Sequence, residues 1–391
     1  MTMNTSKMAQ RAALSAAILV SAQASLAEEP IKVGMMLPAT GTYAKLGNNI
    51  KNGFKLYVDE QGGTLGGRQI EYVEVDSEAN PAKAIDNVNK LIKQHEVDVL
   101  LGSVHSGVAL AMAKRAKESG TVLIVPNAGA DNVTGPLCAP NIFRTSFSNW
   151  QPGYATGQAM AEDGHKTAVA ITWKYGAGKE MLDGFKESFE EAGGTVVKEL
   201  YVPFPNVEFQ ALLTQIAAAK PDAVFAFFAG GGAVKFVKDY AAAGLKDAIP
   251  LYGTGFLTDG TLEAQGADAE GVKTALHYAD ALGTPRDDAF REAYAQAYGE
   301  QPDVYSVQAY DAAQILGIGL EATGGDIANK ETFTAAIRNA TVDSPRGEFT
   351  MSSSHNPVQD FYLREVTDGV NKVVRIASKS LSDPGRGCRM K

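Results

Sequence analysis

Short apolar segments alternate with segments of helical periodicity along most of the chain, and this alternation constrains the fold more than any other feature. The segments "IKVGMML", "QIEYVEVD" and "VDVLLG" predict strands. Between them, "LGNNIKNGFKLYVDE" and residues 81–95 have the apolar spacing of amphipathic helices. Nearly continuous apolar strands that alternate with such helices indicate a parallel sheet with both faces covered.

The same alternation begins again after Trp150. Strands are predicted at "KTAVAITW", "TVVKELYV", "DAVFAFFAG" and "IPLYG", with helices at residues 179–192, 209–219 and 234–243. Residues 285–339 are predicted to be mainly helical, and "DFYLREV" and "NKVVRIA", separated by "TDG", predict a β-hairpin. Two doubly wound units predict an α/β protein of two Rossmann-like lobes, in which a ligand binds beyond the carboxyl ends of the strands.

The N-terminal residues have the pattern of an export signal. Lys7 and Arg11 precede the apolar run "AALSAAILVSAQA", and "SLA", which ends at Ala27, has the small residues of a cleavage site. The alternative is a membrane anchor, but the run is shorter than the roughly 20 residues that span a bilayer. We therefore predict that residues 1–27 are a signal peptide and that the mature protein is periplasmic.

Charge and cysteine content narrow the possible partners. Removal of Lys7 and Arg11 with the signal peptide changes the formal charge from −9 to −11, which disfavours nucleic acid and anionic membrane as partners. Cys138 and Cys388 are the two cysteines, and in an exported protein such a pair suggests one disulfide. The alternative is two free thiols. The five histidines have no metal-ligand spacing, so neither a metal nor another cofactor is predicted.

Signals of enzymatic function are weak. Gly230–Gly232 lie between a predicted strand and a helix, but no phosphate-binding motif surrounds them. Ser106 adjoins His105 without the glycines of a nucleophile elbow. Because no nucleophile, base and oxyanion hole come together, we predict a binding protein and keep an exported hydrolase as an alternative.

The chain resembles the leucine/isoleucine/valine-binding protein family, the periplasmic substrate-binding proteins of branched-chain-amino-acid-type ABC importers. The resemblance covers residues 30–378. It is carried by the order and spacing of several segments: "IKVGMMLPATGTYAKLGNNIKNGFKLYVDEQGG", "NPAKAIDNVNKLI", "FRTSFSNWQPG", "YGAG" and "FVKDYAAAGL".

The resemblance implies a type I periplasmic binding protein, with hinge crossings expected near residues 145–150, 275–280 and 345–355. Lobe 1 would comprise residues 28–147 and 278–350, and lobe 2 residues 148–277 and 351–378, followed by a tail of residues 379–391. It also implies a monomer that delivers a small molecule to an ABC permease. A sensor that passes its signal to a receptor is the alternative with the same fold.

The resemblance also assigns roles to residues. Ser106 falls where a serine hydroxyl binds the carboxylate of the substrate, and it opens a predicted helix whose free N–H groups favour an anion. The alternative is that Ser106 only caps that helix. Asn127, Ala128 and Gly129 fall where further donors to that carboxylate are expected, with Gly129 in place of a hydroxyl residue.

At other family positions this chain either keeps the family residue or replaces it. Tyr175 matches a tyrosine that closes over the ligand from lobe 2. Leu46 replaces a family tyrosine, and Tyr43 could fill its space. Amino-acid-binding members have an acidic partner for the ammonium group where this chain has Thr254, in the neutral loop "PLYGTGFLTDG". A shift of a few residues in this match would instead bring in Asp259.

The residue types near the cleft point to a ligand class. An ammonium group buried without a carboxylate is costly, so Thr254 argues against an amino acid. Aromatic and apolar side chains are expected to form a wall that favours a ring; they are Tyr43, Leu46, Trp150, Tyr175 and Phe228. We predict a benzoate-like acid, with a branched-chain amino acid or a short aliphatic acid as alternatives.

Overall fold

The computed structural model describes residues 29–280 and 282–390. The predicted signal peptide of residues 1–27 lies outside the described residues. Within them, no helix has both the length and the apolar character that crossing a membrane requires.

The first sheet is built from the N-terminal third of the chain. Its strands are β1 (Ile31–Leu37), β2 (Thr64–Leu65), β3 (Arg68–Asp76), β4 (Val99–Leu101), β5 (Val122–Val125) and β6 (Ile142–Arg144). They lie in the order β2-β3-β1-β4-β5-β6, and every pair except β2–β3 is parallel. The helices of this part of the chain are α1 (Ala44–Glu60), α2 (Pro81–Lys93), α3 (Ser106–Ser119) and α4 (Asp131–Thr134). The predicted alternation of strand and helix is therefore present.

The second sheet contains the remaining strands. They are β7 (Thr167–Trp173), β8 (Thr195–Val202), β9 (Ala223–Phe227), β10 (Leu251–Thr254), β11 (Lys273–Leu276), β12 (Thr341–Val342), β13 (Phe349–Met351), β14 (Pro357–Thr367) and β15 (Val370–Leu381). Strands β8-β7-β9-β10-β11 are parallel, and the predicted hairpin β14–β15 joins β11 in antiparallel pairing. Helix α5 (Trp150–Glu162) precedes β7, and the helices between the later strands are α6 (Gly176–Glu191), α7 (Gln210–Ala219), α8 (Gly230–Ala242) and α9 (Leu262–Gln265).

Three helices return to the first sheet after β11. They are α10 (Pro285–Tyr298), α11 (Val304–Thr323) and α12 (Lys330–Asn339), and both α10 and α11 pack against α1. We call the first sheet with its helices lobe 1 and the second sheet with its helices lobe 2. The lobe boundaries drawn from the sequence stay a prediction; they assign β12 and all of β13 except Met351 to lobe 1, whereas in the structure β12 pairs with β13 and β13 pairs with β14 of the second sheet.

The C-terminal tail is tied to lobe 1. Cys138 and Cys388 form a disulfide with their Cα atoms 5.6 Å apart. Near it, Asp383 accepts a hydrogen bond of 2.7 Å from the hydroxyl of Thr134. Arg386 pairs with Glu187 on α6, so the tail contacts both lobes.

A buried ion pair fixes the loop that follows β10. Arg364 on β14 contacts Asp259 with an N···O distance of 2.5 Å, and both side chains are fully buried. The guanidinium also donates to the carbonyls of Gly255 and Tyr278. Burial raises the pKa of Asp259 to about 7, and the charge of Arg364 opposes this rise. Asp259 is thus held by Arg364 and by the structure of the loop itself.

Arg364→Met is expected to lower the free energy of unfolding by about 3–5 kcal/mol, because it leaves a buried carboxylate without its cation. The matched control is Arg375→Met on the neighbouring strand, whose half-exposed ion pairs with Glu162 and Asp163 should contribute less than about 1 kcal/mol. Urea unfolding measures both. Equal losses in the two variants would contradict the structural importance of the Asp259–Arg364 pair.

Candidate functional site

A cavity lies between the lobes at the carboxyl ends of their parallel strands. Lobe 1 contributes residues in alternating pairs after β4, β5 and β6: Val104 and Ser106, Asn127 and Gly129, Phe147 and Asn149. Lobe 2 contributes such pairs after β7 and β9, namely Tyr175 and Ala177, Phe227 and Ala229, and adds Met181 and Phe256. Tyr43 and Tyr305 complete the wall. This is the place where doubly wound sheets bind ligands.

The cavity is small and its wall carries no formal charge. Its free volume is about 20 Å³, which is room for about one water molecule and far below the ~300–1,000 Å³ typical of ligand pockets. The residues that line it include no aspartate, glutamate, lysine, arginine or histidine. Its polar groups are hydroxyls, amides and backbone groups, which suit a ligand held by hydrogen bonds and ring contacts.

Ser106 presents its hydroxyl to the cavity and does not cap helix α3. The cap is His105, whose Nδ1 accepts a hydrogen bond of 3.0 Å from the N–H of Gly107. Burial lowers the pKa of His105 to about 4, so the imidazole is neutral at pH 7. The Oγ of Ser106 accepts a hydrogen bond of 3.1 Å from the side-chain amide of Asn149. Its own hydrogen is therefore available to a ligand.

Asn127 and Gly129 lie beside Ser106. The amide of Asn127 donates to the Oε1 of Gln308 at 2.8 Å, which fixes its orientation against α11. Gly129 is close to its neighbours, because a Cβ there would lie 2.3 Å from the Oδ1 of Asn149 and 2.4 Å from the ring of Phe147. The structure therefore gives a packing reason for glycine at this position.

Two carboxyl groups lie behind this part of the wall. Asn149 donates to Glu180 of α6 at 2.7 Å, and the N–H of Asp131 donates to the same oxygen at 3.2 Å. Burial raises the pKa of Asp131 to about 8, and the charge of Glu180 adds to this effect. Burial also raises the pKa of Glu180. A proton held by this pair reduces the negative charge beside the hydroxyl of Ser106.

Tyr43 and Tyr175 meet across the cleft. Their hydroxyls are 3.1 Å apart, and the ring of Tyr175 stacks on His105 with centroids 4.8 Å apart. Nearby, the first turn of α8 touches lobe 1, where a Cβ on Gly230 would lie 2.3 Å from the carbonyl of Thr42. Gly230 also has a φ of +54°, so both the close contact with Thr42 and the backbone conformation require glycine. The lobes are thus in contact around the cavity.

Five of the ten predicted ligand-binding residues line the cavity: Tyr43, Ser106, Asn127, Gly129 and Tyr175. The other five lie elsewhere. Ala128 is buried with its N–H bonded to Ser103, and Leu46 is fully buried in the core of lobe 1. Thr254 is buried at the end of β10, before a short 3-10 helix that places Phe256, not Thr254, on the wall.

Trp150 and Phe228 also lie outside the cavity wall, because their side chains point away from the cavity. Trp150 opens α5, packs on Tyr154 and donates its indole N–H to Glu187 at 2.8 Å. Phe228 packs against Trp173 in the core, with ring centroids 5.2 Å apart. Adjacent residues of an extended segment point to opposite faces, so Phe227 reaches the cavity and Phe228 the core.

Sequence reasoning missed several wall residues: Val104, Phe147, Asn149, Ala177, Met181, Phe227, Ala229, Phe256 and Tyr305. Alternation is the signal that could have found two of them, Val104 and Ala177. Once Ser106, Asn127 and Tyr175 are placed, the residues two positions away share their face. No such signal indicates Tyr305, because it lies in α11 of lobe 1, far in sequence from the other wall residues of that lobe.

Gly129→Ala is expected to destabilise the fold by about 1–3 kcal/mol, because the new methyl group overlaps Asn149 and the ring of Phe147. The control is Gly176→Ala at the start of α6, where a Cβ meets nothing within 4 Å. Thermal unfolding of both variants tests this. A Gly129→Ala protein as stable as Gly176→Ala would show that the wall yields easily at this point.

Comparisons with known proteins agree with this architecture. A family model described as a periplasmic binding protein matches residues 30–371. Leu/Ile/Val-binding protein homolog 6 of Brucella melitensis is 32% identical over 391 residues, which cover 96% of this chain and 99% of that relative.

Two solved structures are similar over nearly the whole fold. A solute-binding protein of an ABC transporter from R. palustris, in complex with benzoate, is 52% identical with a TM-score of 0.90, over 92% of this chain and 99% of that one. A second, from Rhodopseudomonas palustris BisB5 in complex with 3,4-dihydroxy benzoic acid, is 33% identical with a TM-score of 0.86 and the same coverage. With two lobes of this topology and these matches, the chain belongs to the periplasmic binding protein family, the solute-binding components of ABC transporters.

Proposed function

We propose that this protein binds a small, benzoate-like aromatic carboxylate between its lobes. The observation that carries the proposal is the uncharged cavity wall, in which hydroxyl and amide groups stand beside aromatic rings. The hydroxyl of Ser106, at the N-terminus of α3, receives the carboxylate. The rings of Phe147, Phe227 and Phe256 surround the apolar part of the ligand.

An α-amino acid fits this wall less well. Its ammonium group would be buried without a counter-ion, which costs several kcal/mol. Asp259, the acid nearest in sequence to Thr254, pairs with Arg364 and does not line the cavity. A short aliphatic acid would leave the rings without a partner.

The relatives support the same ligand class. The R. palustris protein that is 52% identical to this chain was solved with benzoate, and the BisB5 protein with 3,4-dihydroxy benzoic acid. Both structures cover 92% of this chain and 99% of their own, which supports the transfer of the ligand class to this fold.

Family membership implies a periplasmic location and a permease as partner. We propose further that a signal peptide is cleaved near Ala27, that the protein acts as a monomer and that it delivers its ligand to the permease without chemical conversion. Hydrogen bonds around the cavity, such as that between Tyr43 and Tyr175, join the lobes, so ligand capture is coupled to hinge closure.

Isothermal titration calorimetry with benzoate, 4-hydroxybenzoate, 4-coumarate, leucine and valine tests the ligand class. We expect binding of at least one aromatic acid and none of leucine or valine, because the wall supplies no partner for an ammonium group. Tight binding of leucine, with no heat from the aromatic acids, would contradict the proposal.

Ser106→Ala is expected to weaken binding of the aromatic acid about ten- to a hundredfold, since it removes a hydrogen bond to a charged group worth roughly 1.5–3 kcal/mol. Ser119→Ala, at the other end of the same helix, is the matched control and should bind like the wild type. If both variants retain full affinity, the carboxylate is held elsewhere.

A further inference from the structure

Tyr305 is a cavity residue whose hydroxyl is unused. Its side chain is 1% exposed, and its hydroxyl has no hydrogen-bond partner among residues 29–280 and 282–390. The other tyrosines on the wall, Tyr43 and Tyr175, bond to each other. A buried hydroxyl without a partner is unfavourable, so a ligand that supplies one gains affinity.

The position of Tyr305 is firmly fixed. It is the second residue of α11, and its N–H donates to the capping side chain of Asp303 at 3.0 Å. Asp303 is held in turn by the amide of Asn49 at 2.6 Å. The ring of Tyr305 lies 6.1 Å from that of Phe256, which lines the cavity with it. The hydroxyl is therefore presented by a rigid element beside an aromatic wall.

The surroundings of this hydroxyl select for a neutral group. Burial and the charge of Asp259 raise the pKa of Tyr305 well above its usual value, so the phenol is neutral and can either donate or accept. Asp303 also interacts with it electrostatically. Because no lysine or arginine lines the cavity, a second negative group on the ligand would be disfavoured there.

From these contacts we infer that Tyr305 determines specificity, and that the preferred ligand is an aromatic carboxylate with an uncharged hydrogen-bonding substituent, such as a hydroxyl, on its ring. This inference rests on the proposed function. The carboxylate is bound at Ser106, the ring lies between the phenylalanines, and the substituent exchanges a hydrogen bond with Tyr305.

The test compares hydroxyl and methyl groups of similar size. Wild type and Tyr305→Phe are titrated with benzoate, with 3-hydroxy- and 3-methylbenzoate, and with 4-hydroxy- and 4-methylbenzoate. For either the 3- or the 4-substituted pair, we divide the Kd of the methyl compound by the Kd of the hydroxyl compound. This ratio should be roughly three- to tenfold smaller in Tyr305→Phe than in the wild type, which is the effect of one neutral hydrogen bond. The affinity for benzoate should change little. Tyr294→Phe, a buried tyrosine of α10 outside the cavity wall, is the control and should leave every ratio unchanged.

The outcomes separate the two proposals. If benzoate binds and the ratios are the same in wild type and Tyr305→Phe at both positions, the role of Tyr305 is overturned while the proposed function stands. If the wild type binds none of the aromatic acids, the proposed function is overturned, and the inference about Tyr305 with it.

Discussion

Parallel strands must end along a common edge, and the site of this protein depends on that constraint. In each lobe the crossover helices carry the chain back, so that the loops after successive strands open on one side. The first sheet offers the loops after β4, β5 and β6, and the second those after β7, β9 and β10. Placing the two edges face to face brings these loops together. The cavity is thus a product of topology, and its chemistry depends on the residues at the loop tips.

Polar contacts around the cavity link the lobes through residues that also touch its interior. Asn149 is the clearest case, because its amide bonds to Ser106 on one side and to Glu180 on the other. The same atom that orients the hydroxyl of Ser106 therefore also contacts helix α6 of the other lobe. Under the proposed function, binding and closure share these hydrogen bonds, so a change at Asn149 would act on both.

Much of the fold follows from sequence periodicity, and less of the site does. The strand–helix alternation predicted both sheets and the β14–β15 hairpin, but it missed β11, because the segment "KTAL" has only two apolar residues and so lacks the apolar run of the other parallel strands. Ser106 and Tyr175 were found through resemblance. Trp150 and Phe228 were placed on the wall because of their ring type, although the direction of a side chain, not its chemistry, decides which face it reaches. Tyr305 depends on a helix of lobe 1 that joins the cavity from about 200 residues away, a proximity that no local pattern contains.

The uncharged wall also has a kinetic consequence. A wall without lysine or arginine exerts no long-range attraction on an anion, while the chain as a whole carries a formal charge of −9. For the carboxylate ligand that we propose, the net negative charge of the protein therefore slows the approach, and the ligand is held only once it is within hydrogen-bonding range. Salt screens this field, and the screening length is about 10 Å at 0.1 M. Added salt should therefore raise the association rate constant and leave the dissociation rate constant nearly unchanged.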